Sequence, residues 1–202
     1  ALMQEDIIWR NGHVTGFARE LRLTGDDHHW YEAAEPREAS LAAFDGVVMR
    51  KDPPFDMEFV FATYMLERAQ VDGALVVNDP RSIRDASEKL FTAWFADVTP
   101  PTFVTRCIDD LRAFQREHGD IVVKPLDGMG GSSVFRVQGD DGNASVIFET
   151  ITALESRYCM AQRYLPAIKQ GDKRILVVDG VPLPYALARI PAAGELRGNL
   201  AA

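Results

Sequence analysis

Cysteine is nearly absent from this chain: there are two in 202 residues, Cys107 and Cys159, and they form no CxxC. That disfavours a disulfide framework and a structural zinc, and it suits a reducing compartment. Long apolar runs are missing too. The longest, such as 181–187, are short and carry prolines, far below the ~18 residues that cross a bilayer, so no membrane partner is expected. No basic run interleaved with aromatics occurs, which argues against nucleic acid. Residues 1–6 hold neither a basic segment nor a long apolar stretch, so the start is neither a signal nor a transit peptide. It does not look like a natural start either. Internal repeats and low-complexity segments are also lacking. What is present, 47% hydrophobic and 26% charged residues, is near the globular average. A cytoplasmic globular protein is expected, with enough chain for one large domain or two small ones.

Charge is unevenly spread. Residues 1–80 hold 7 positive and 15 negative side chains, against 15 and 15 in residues 81–202, so the whole net charge of −8 lies in the first part. Residues 157–202 carry 7 positives and 3 negatives. An anionic ligand would choose that end, because charges beyond about 8 Å are largely screened at physiological salt and local arginines outweigh remote carboxylates. A solvated basic face is the plain alternative.

The pattern is α/β (α+β). Residues 47–49 and 74–77 read as short strands, and 58–69 and 84–95 as amphipathic helices, which predicts parallel strands. Asp56 is placed to cap the first helix, and Ser82 with Asp85 has the form of a capping box for the second. Before Phe44 the chain reads as polar and irregular, and the adjacent His28 and His29 as a solvated turn rather than a metal site. After Pro100 and Pro101, a strand is predicted at 102–105 and a helix at 108–118. Strands follow at 120–126, 134–138, 145–149, 160–165 and 173–179, as an antiparallel meander. Asp179 and Gly180 give a two-residue hairpin signal.

The most informative segment is a loop. Between two strand-like runs stand Asp127, Gly128, Met129, Gly130, Gly131, Ser132 and Ser133, with Lys124 just before them. Glycines remove the Cβ atoms that keep a phosphate from backbone amides, so the loop has the make-up of a phosphate cradle at the tip of a hairpin. A Walker loop or a dinucleotide fingerprint would open a helix, and here a strand follows. A flexible tip without ligand is the competing reading.

Several segments in one order then make a resemblance specific: MRKDPPFD at 49–56, EKLFTAWF at 88–95, KPLDGMGG at 124–131, AIKQGDK at 167–173 and RIP at 189–191. Together they resemble the bacterial glutathione synthetases of the ATP-grasp superfamily, over nearly the whole chain and most loosely before Phe44. The resemblance implies an ATP-grasp fold preceded by a small parallel-sheet α/β substrate domain, both incomplete in this chain. It divides the chain into a substrate-side domain at 1–83, a first ATP-grasp lobe at 84–162 and the start of a second lobe at 163–202. It implies ligation of γ-glutamylcysteine and glycine through an acyl phosphate, with ATP as co-substrate and release of ADP and phosphate, by a homotetramer. Family members have a further strand and helix ahead of this stretch. They continue after it into a second glycine-rich loop and a lobe whose Asp, Glu and Asn residues bind Mg²⁺. The chain therefore reads as the middle of a longer enzyme, with no metal ligand of its own.

By the same resemblance, Lys89 and Lys124 contact the ATP phosphates and residues 128–133 cover them. Gln162, Arg163, Tyr164 and Leu165 edge the adenine, mainly through backbone groups, and Asp172 lies near the ribose. Many ATP-grasp proteins have Glu where Gln162 stands. From the sequence alone Lys89 lies on the polar side of its helix and would be solvated. Arg174 and Arg189, on neighbouring strands, are the candidates for the reacting centre, where two guanidiniums would clamp a phosphoryl group and a carboxylate. Arg50, Arg197 and Asn199 are candidate substrate contacts. Cys107 and Cys159 read as buried small apolar residues. The alternatives are another ATP-grasp carboxylate-amine ligase, for D-alanine:D-alanine or glutamate, and a non-catalytic ATP-binding regulatory protein. The RKDPPFD turn argues against the first pair, and retention of the four cationic residues argues against the second.

Overall fold

The computed structural model describes residues 1–51, 54–128 and 131–191, in two compact units, Ala1–Ser87 and Glu88–Ala202. The first unit contains strands β1 (Ile7–Arg10), β2 (His13–Ala18), β3 (Leu21–Leu23), β4 (Tyr31–Ala33), β5 (Arg37–Ser40) and β6 (Val47–Val48), helix α1 (Met57–Val71), strand β7 (Val76–Val77) and helix α2 (Pro80–Asp85). β6 and β7 pair in parallel as expected, Val47 against Val76 and Val48 against Val77. The stretch before Phe44 is not irregular. It forms the antiparallel sheet β1-β2-β5 and the separate ribbon β3-β4. Polar residues hide these strands because β3 and β4 are exposed throughout, so little apolar alternation is required of them. Between β3 and β4 the Asp26 carboxylate accepts the amides of His28 (2.7 Å) and His29 (3.1 Å), an Asx turn of exposed residues.

Helix α1 begins where Asp56 accepts the Phe59 amide at 2.9 Å, the expected cap. It buries Phe59, Ala62, Thr63, Leu66 and Ala69 on one side. The next helix differs from expectation. Asp79, not Ser82, is its cap, accepting the Ser82 amide at 2.9 Å, with Pro80 in the first turn. That bond holds the Asp79 carboxyl below the usual carboxylate range. Proline at the first helical position is pre-set for a start there; α2 ends at Asp85, and the single helix expected over 84–95 does not form. A 3-10 helix, Leu90–Trp94, follows in the second unit. Phe91 packs tilted against Trp94, ring centres 5.4 Å apart, and edge-on against Phe95 at 5.5 Å.

The second unit continues with β8 (Thr102–Thr105), α3 (Ile108–His118), β9 (Ile121–Pro125), β10 (Phe135–Val137), α4 (Ala144–Ile151), β11 (Cys159–Arg163), β12 (Asp172–Val178) and β13 (Val181–Arg189). The four-stranded sheet runs β10-β9-β11-β8, antiparallel throughout. It is not a meander, because β11 inserts between β9 and β8. Residues 145–149 lie in helix α4 and not in a strand. Ala144, Ile147, Phe148 and Ile151 recur with helical spacing and pack on the core formed by Leu111, Ile121, Val123, Val137, Cys159 and Ala161. β12 and β13 form a two-stranded ribbon, turned by Asp179 (φ 51°) and Gly180 (φ 75°), the two positive φ values of a type I′ turn. Among the described residues no helix is long and apolar enough to cross a membrane.

Candidate nucleotide site

A strand alternates its faces, and in β9 this sorts chemistry from packing. Ile121, Val123 and Pro125 are buried, whereas Val122 and Lys124 face the other way. The register puts Arg136 opposite Val122, and Gln162 opposite both Val122 and Thr102. Arg136, Lys124, Gln162 and Thr102 therefore share the outer face, and α3 and α4 cover the inner one.

Lys124 donates to Gln162 Oε1 at 2.8 Å. Burial, reinforced by the nearby Lys89 ammonium, holds the Lys124 pKa below the usual lysine value. Lys89 is not solvated. Its side chain is 13% exposed, and Nζ donates to Glu88 Oε1 at 3.0 Å and to the Gly128 carbonyl. Two ammonium groups thus converge at the base of the glycine-rich hairpin joining β9 to β10. In that hairpin Gly131 has φ 75° and Ser133 φ 55°, a conformation that favours glycine at the first of these positions. Val134 N–H donates to the Gly131 carbonyl at 3.3 Å. A Cβ on Gly128 would lie 3.0 Å from Pro125 Cγ, so the hairpin starts as a close approach of backbone to ring. Met129 and Gly130 lie outside the described residues, as do Arg197 and Asn199.

At the end of β11 the Arg163 amide donates to the Pro101 carbonyl and the Tyr164 amide to the Asp120 carbonyl, both at 3.0 Å. Leu165, 46% exposed, precedes the 3-10 helix Pro166–Gln170. Tyr164 is buried with its hydroxyl unpartnered, and the Arg136 guanidinium lies 4.0 Å over its ring. Arg136 in turn pairs with Asp120, whose carboxyl it holds below the ordinary value. Arg136, Asp120 and Thr102 were not among the residues singled out from the sequence. Registering the hairpin on its glycine-rich tip would have placed Arg136 on the face of Lys124.

On the β12-β13 ribbon Asp172 stands opposite Arg189. Arg189 Nε and one terminal nitrogen each donate to the Asp172 carboxylate at 2.6 Å, which raises the arginine's pKa further. Cross-strand partners share a face and so do positions two apart, so Arg174 lies on the face of Asp172 and Arg189. Asp172 is thus a partner of Arg189. In the first unit, Arg50 follows β6 and, with Lys51, edges a cavity of about 510 Å³ otherwise lined largely by apolar residues such as Leu2, Val47, Met49 and Leu66. Cys159 is buried and its thiol is pushed up to about 11; Cys107 is only half-buried. Among the described residues no group of three His, Cys, Asp or Glu side chains is placed to hold a metal.

An antiparallel sheet with helices on one face, and paired lysines at a glycine hairpin on the other, defines an ATP-grasp domain. Residues 88–202 match the model of the prokaryotic glutathione synthetase ATP-grasp domain, and residues 1–84 that of the prokaryotic glutathione synthetase N-terminal domain. The chain belongs to the prokaryotic glutathione synthetase family. It is 59% identical to the glutathione synthetase of Salmonella typhi and 58% identical to that of Yersinia pestis. Each match covers 98% of this chain and 62% of the relative, so the chain spans less than two thirds of the relatives' length. Its fold is similar to that of D-cycloserine synthetase DcsG, with a TM-score of 0.57 at 20% identity over 77% of this chain and 59% of that one.

Proposed function

We propose that this protein is an ATP-dependent ligase that joins γ-glutamylcysteine and glycine to form glutathione. The observation that carries the reading is the convergence of Lys89 and Lys124 at the glycine-rich hairpin, in a chain of this family. The cysteinyl carboxylate of γ-glutamylcysteine attacks the γ-phosphorus of ATP, and ADP leaves. The glycine amine then attacks the acyl phosphate, and inorganic phosphate leaves as the amide forms. Such chemistry asks for held charge more than for a strong base. Lys89 and Lys124 neutralise the polyphosphate, residues 128–133 cover it, and residues 162–165 edge the base. Arg174 and Arg189 face the reacting phosphoryl group and carboxylate from one side of the ribbon, while Arg50, Arg197 and Asn199 contact substrate. In this reading 84–162 and 163–202 belong to two lobes of the ATP-grasp domain, behind a substrate-side domain at 1–83. Mg²⁺ would offset polyphosphate charge from ligands other than the described residues. The reading further takes the protein as cytoplasmic and homotetrameric.

The test is phosphate release by the full-length protein from ATP, with γ-glutamylcysteine and glycine added singly and together. Release only with both supports the reading; release with D-alanine or glutamate instead, or tight ATP binding without release, refutes it. Affinity for ATP is also expected to fall as pH rises through the Lys124 titration. Only the ammonium attracts phosphate, and its pKa sits below the ordinary lysine value, so the loss begins at lower pH than for an exposed lysine. Calorimetric titration at a series of pH values checks this.

A further inference from the structure

The Gln162 side chain occupies the position at which a base-reading residue is expected, yet both ends of its amide are engaged. Lys124 Nζ donates to Oε1 at 2.8 Å, and Nε2 donates to Thr102 Oγ1, also at 2.8 Å. The Thr102 hydroxyl sends its own proton to the Pro100 carbonyl at 2.7 Å. The orientation is therefore chemically determined: an ammonium has no acceptor, so the amide oxygen must face Lys124, and a hydroxyl that is already donating must accept from the amide nitrogen. The chain of bonds runs in one direction from Lys124 to the backbone before β8. Gln162 and Thr102 are directly paired across β11 and β8, so the clamp rests on the sheet and not on a loop.

We propose that Gln162 is a positioning residue that holds the Lys124 ammonium by a neutral amide, leaving its charge for phosphate, and that it does not read the base. This rests on the nucleotide site proposed above. A carboxylate in its place would pair with Lys124 and spend the charge internally, since opposite charges in contact on a partly buried face attract strongly. The amide gives the lysine an acceptor without that neutralisation; the charged groups near it are Lys89, whose ammonium lowers its pKa, and Glu88, the carboxylate partner of Lys89, whose opposing effect is smaller. Base recognition then falls to backbone groups at 163–165.

Three preparations of the full-length protein decide the matter: wild type, Gln162→Glu and Gln162→Met. Without nucleotide, the Lys124 titration is followed by NMR of ¹³Cε-labelled lysine, its signal assigned by Lys124→Arg. Gln162→Glu is expected to move the Lys124 pKa up, and Gln162→Met, which removes the acceptor from a desolvated ammonium, to move it down. A purely structural perturbation would not give opposite signs. Binding of ATP and of inorganic tripolyphosphate is measured in parallel, and Gln162→Glu should weaken both by a similar factor, about tenfold. The proposal is overturned if the two variants shift Lys124 in the same direction or not at all, or if either variant weakens ATP while leaving tripolyphosphate unchanged. Wild-type protein that binds neither ligand would refute the nucleotide reading, whereas the lysine titrations would still test the clamp.

Discussion

Alanine in place of Arg189 is expected to lower turnover of the full-length protein by about a hundredfold to a thousandfold, the loss that follows removal of one preorganised donor to a developing negative charge. The geometry separates this loss from unfolding. Arg189 and Asp172 pair on a ribbon where their side chains are 18% and 34% exposed, and partly exposed pairs contribute little to stability. Thermal unfolding of the variant should therefore stay close to wild type while phosphate release collapses. Lysine at this position should not restore the rate, because the two-nitrogen grip on the Asp172 carboxylate needs the planar guanidinium fork. Asp172→Asn leaves the guanidinium present but loosely aimed, and its loss should fall between those of wild type and alanine. Steady-state phosphate release with saturating ATP, γ-glutamylcysteine and glycine is the measurement. Turnover of the alanine variant within tenfold of wild type would remove Arg189 from the reacting centre.

Much of the second unit is legible in its sequence, because its elements carry punctuation as well as periodicity. The strand at 102–105 and the helix at 108–118 lie between a proline pair and Gly119, and the Asp179-Gly180 turn names its own geometry. The first forty residues show the opposite case. β3 and β4 are short, paired only with each other and exposed on both faces, so burial imposes no alternation for a reader to find. Capping was legible where one candidate stood alone, at Asp56. At the next helix the Ser82-Asp85 pair suggested a start that the structure does not have, since Asp79 caps it three residues earlier, just before Pro80.

At the site, residue types were legible and their partners were not. The glycine-rich hairpin and Lys124 announce a phosphate cradle by composition, but nothing local says that the Lys89 side chain crosses 39 positions of sequence to the Gly128 carbonyl. Likewise Asp172 reads as a ribose contact or a turn residue until the ribbon register sets it against Arg189. These are long-range pairings, and they follow from sheet register rather than from any short motif.

The largest loss of stability is expected in α4, whose sequence suggests a strand. Phe148→Ala is expected to destabilise the protein by about 3–5 kcal/mol, the range for emptying a ring-sized volume in a closed core. Phe148 is fully buried against Leu111, Ile121, Val123 and Val137, so little solvent can fill the gap. Set against a total stability of about 5–15 kcal/mol for a domain, that is a large fraction, and at roughly 2–4 °C per kcal/mol it lowers the melting temperature by about 10 °C. Val146 supplies the control that distinguishes the two conformations. In a strand, positions 146 and 148 point the same way and would be buried alike. In helix α4 they diverge, and Val146 is 61% exposed. Val146→Ala should therefore change stability by no more than about 0.5 kcal/mol. Equal losses at the two positions would contradict the helix, and with it the inner face against which β9 sorts Lys124 to the outside.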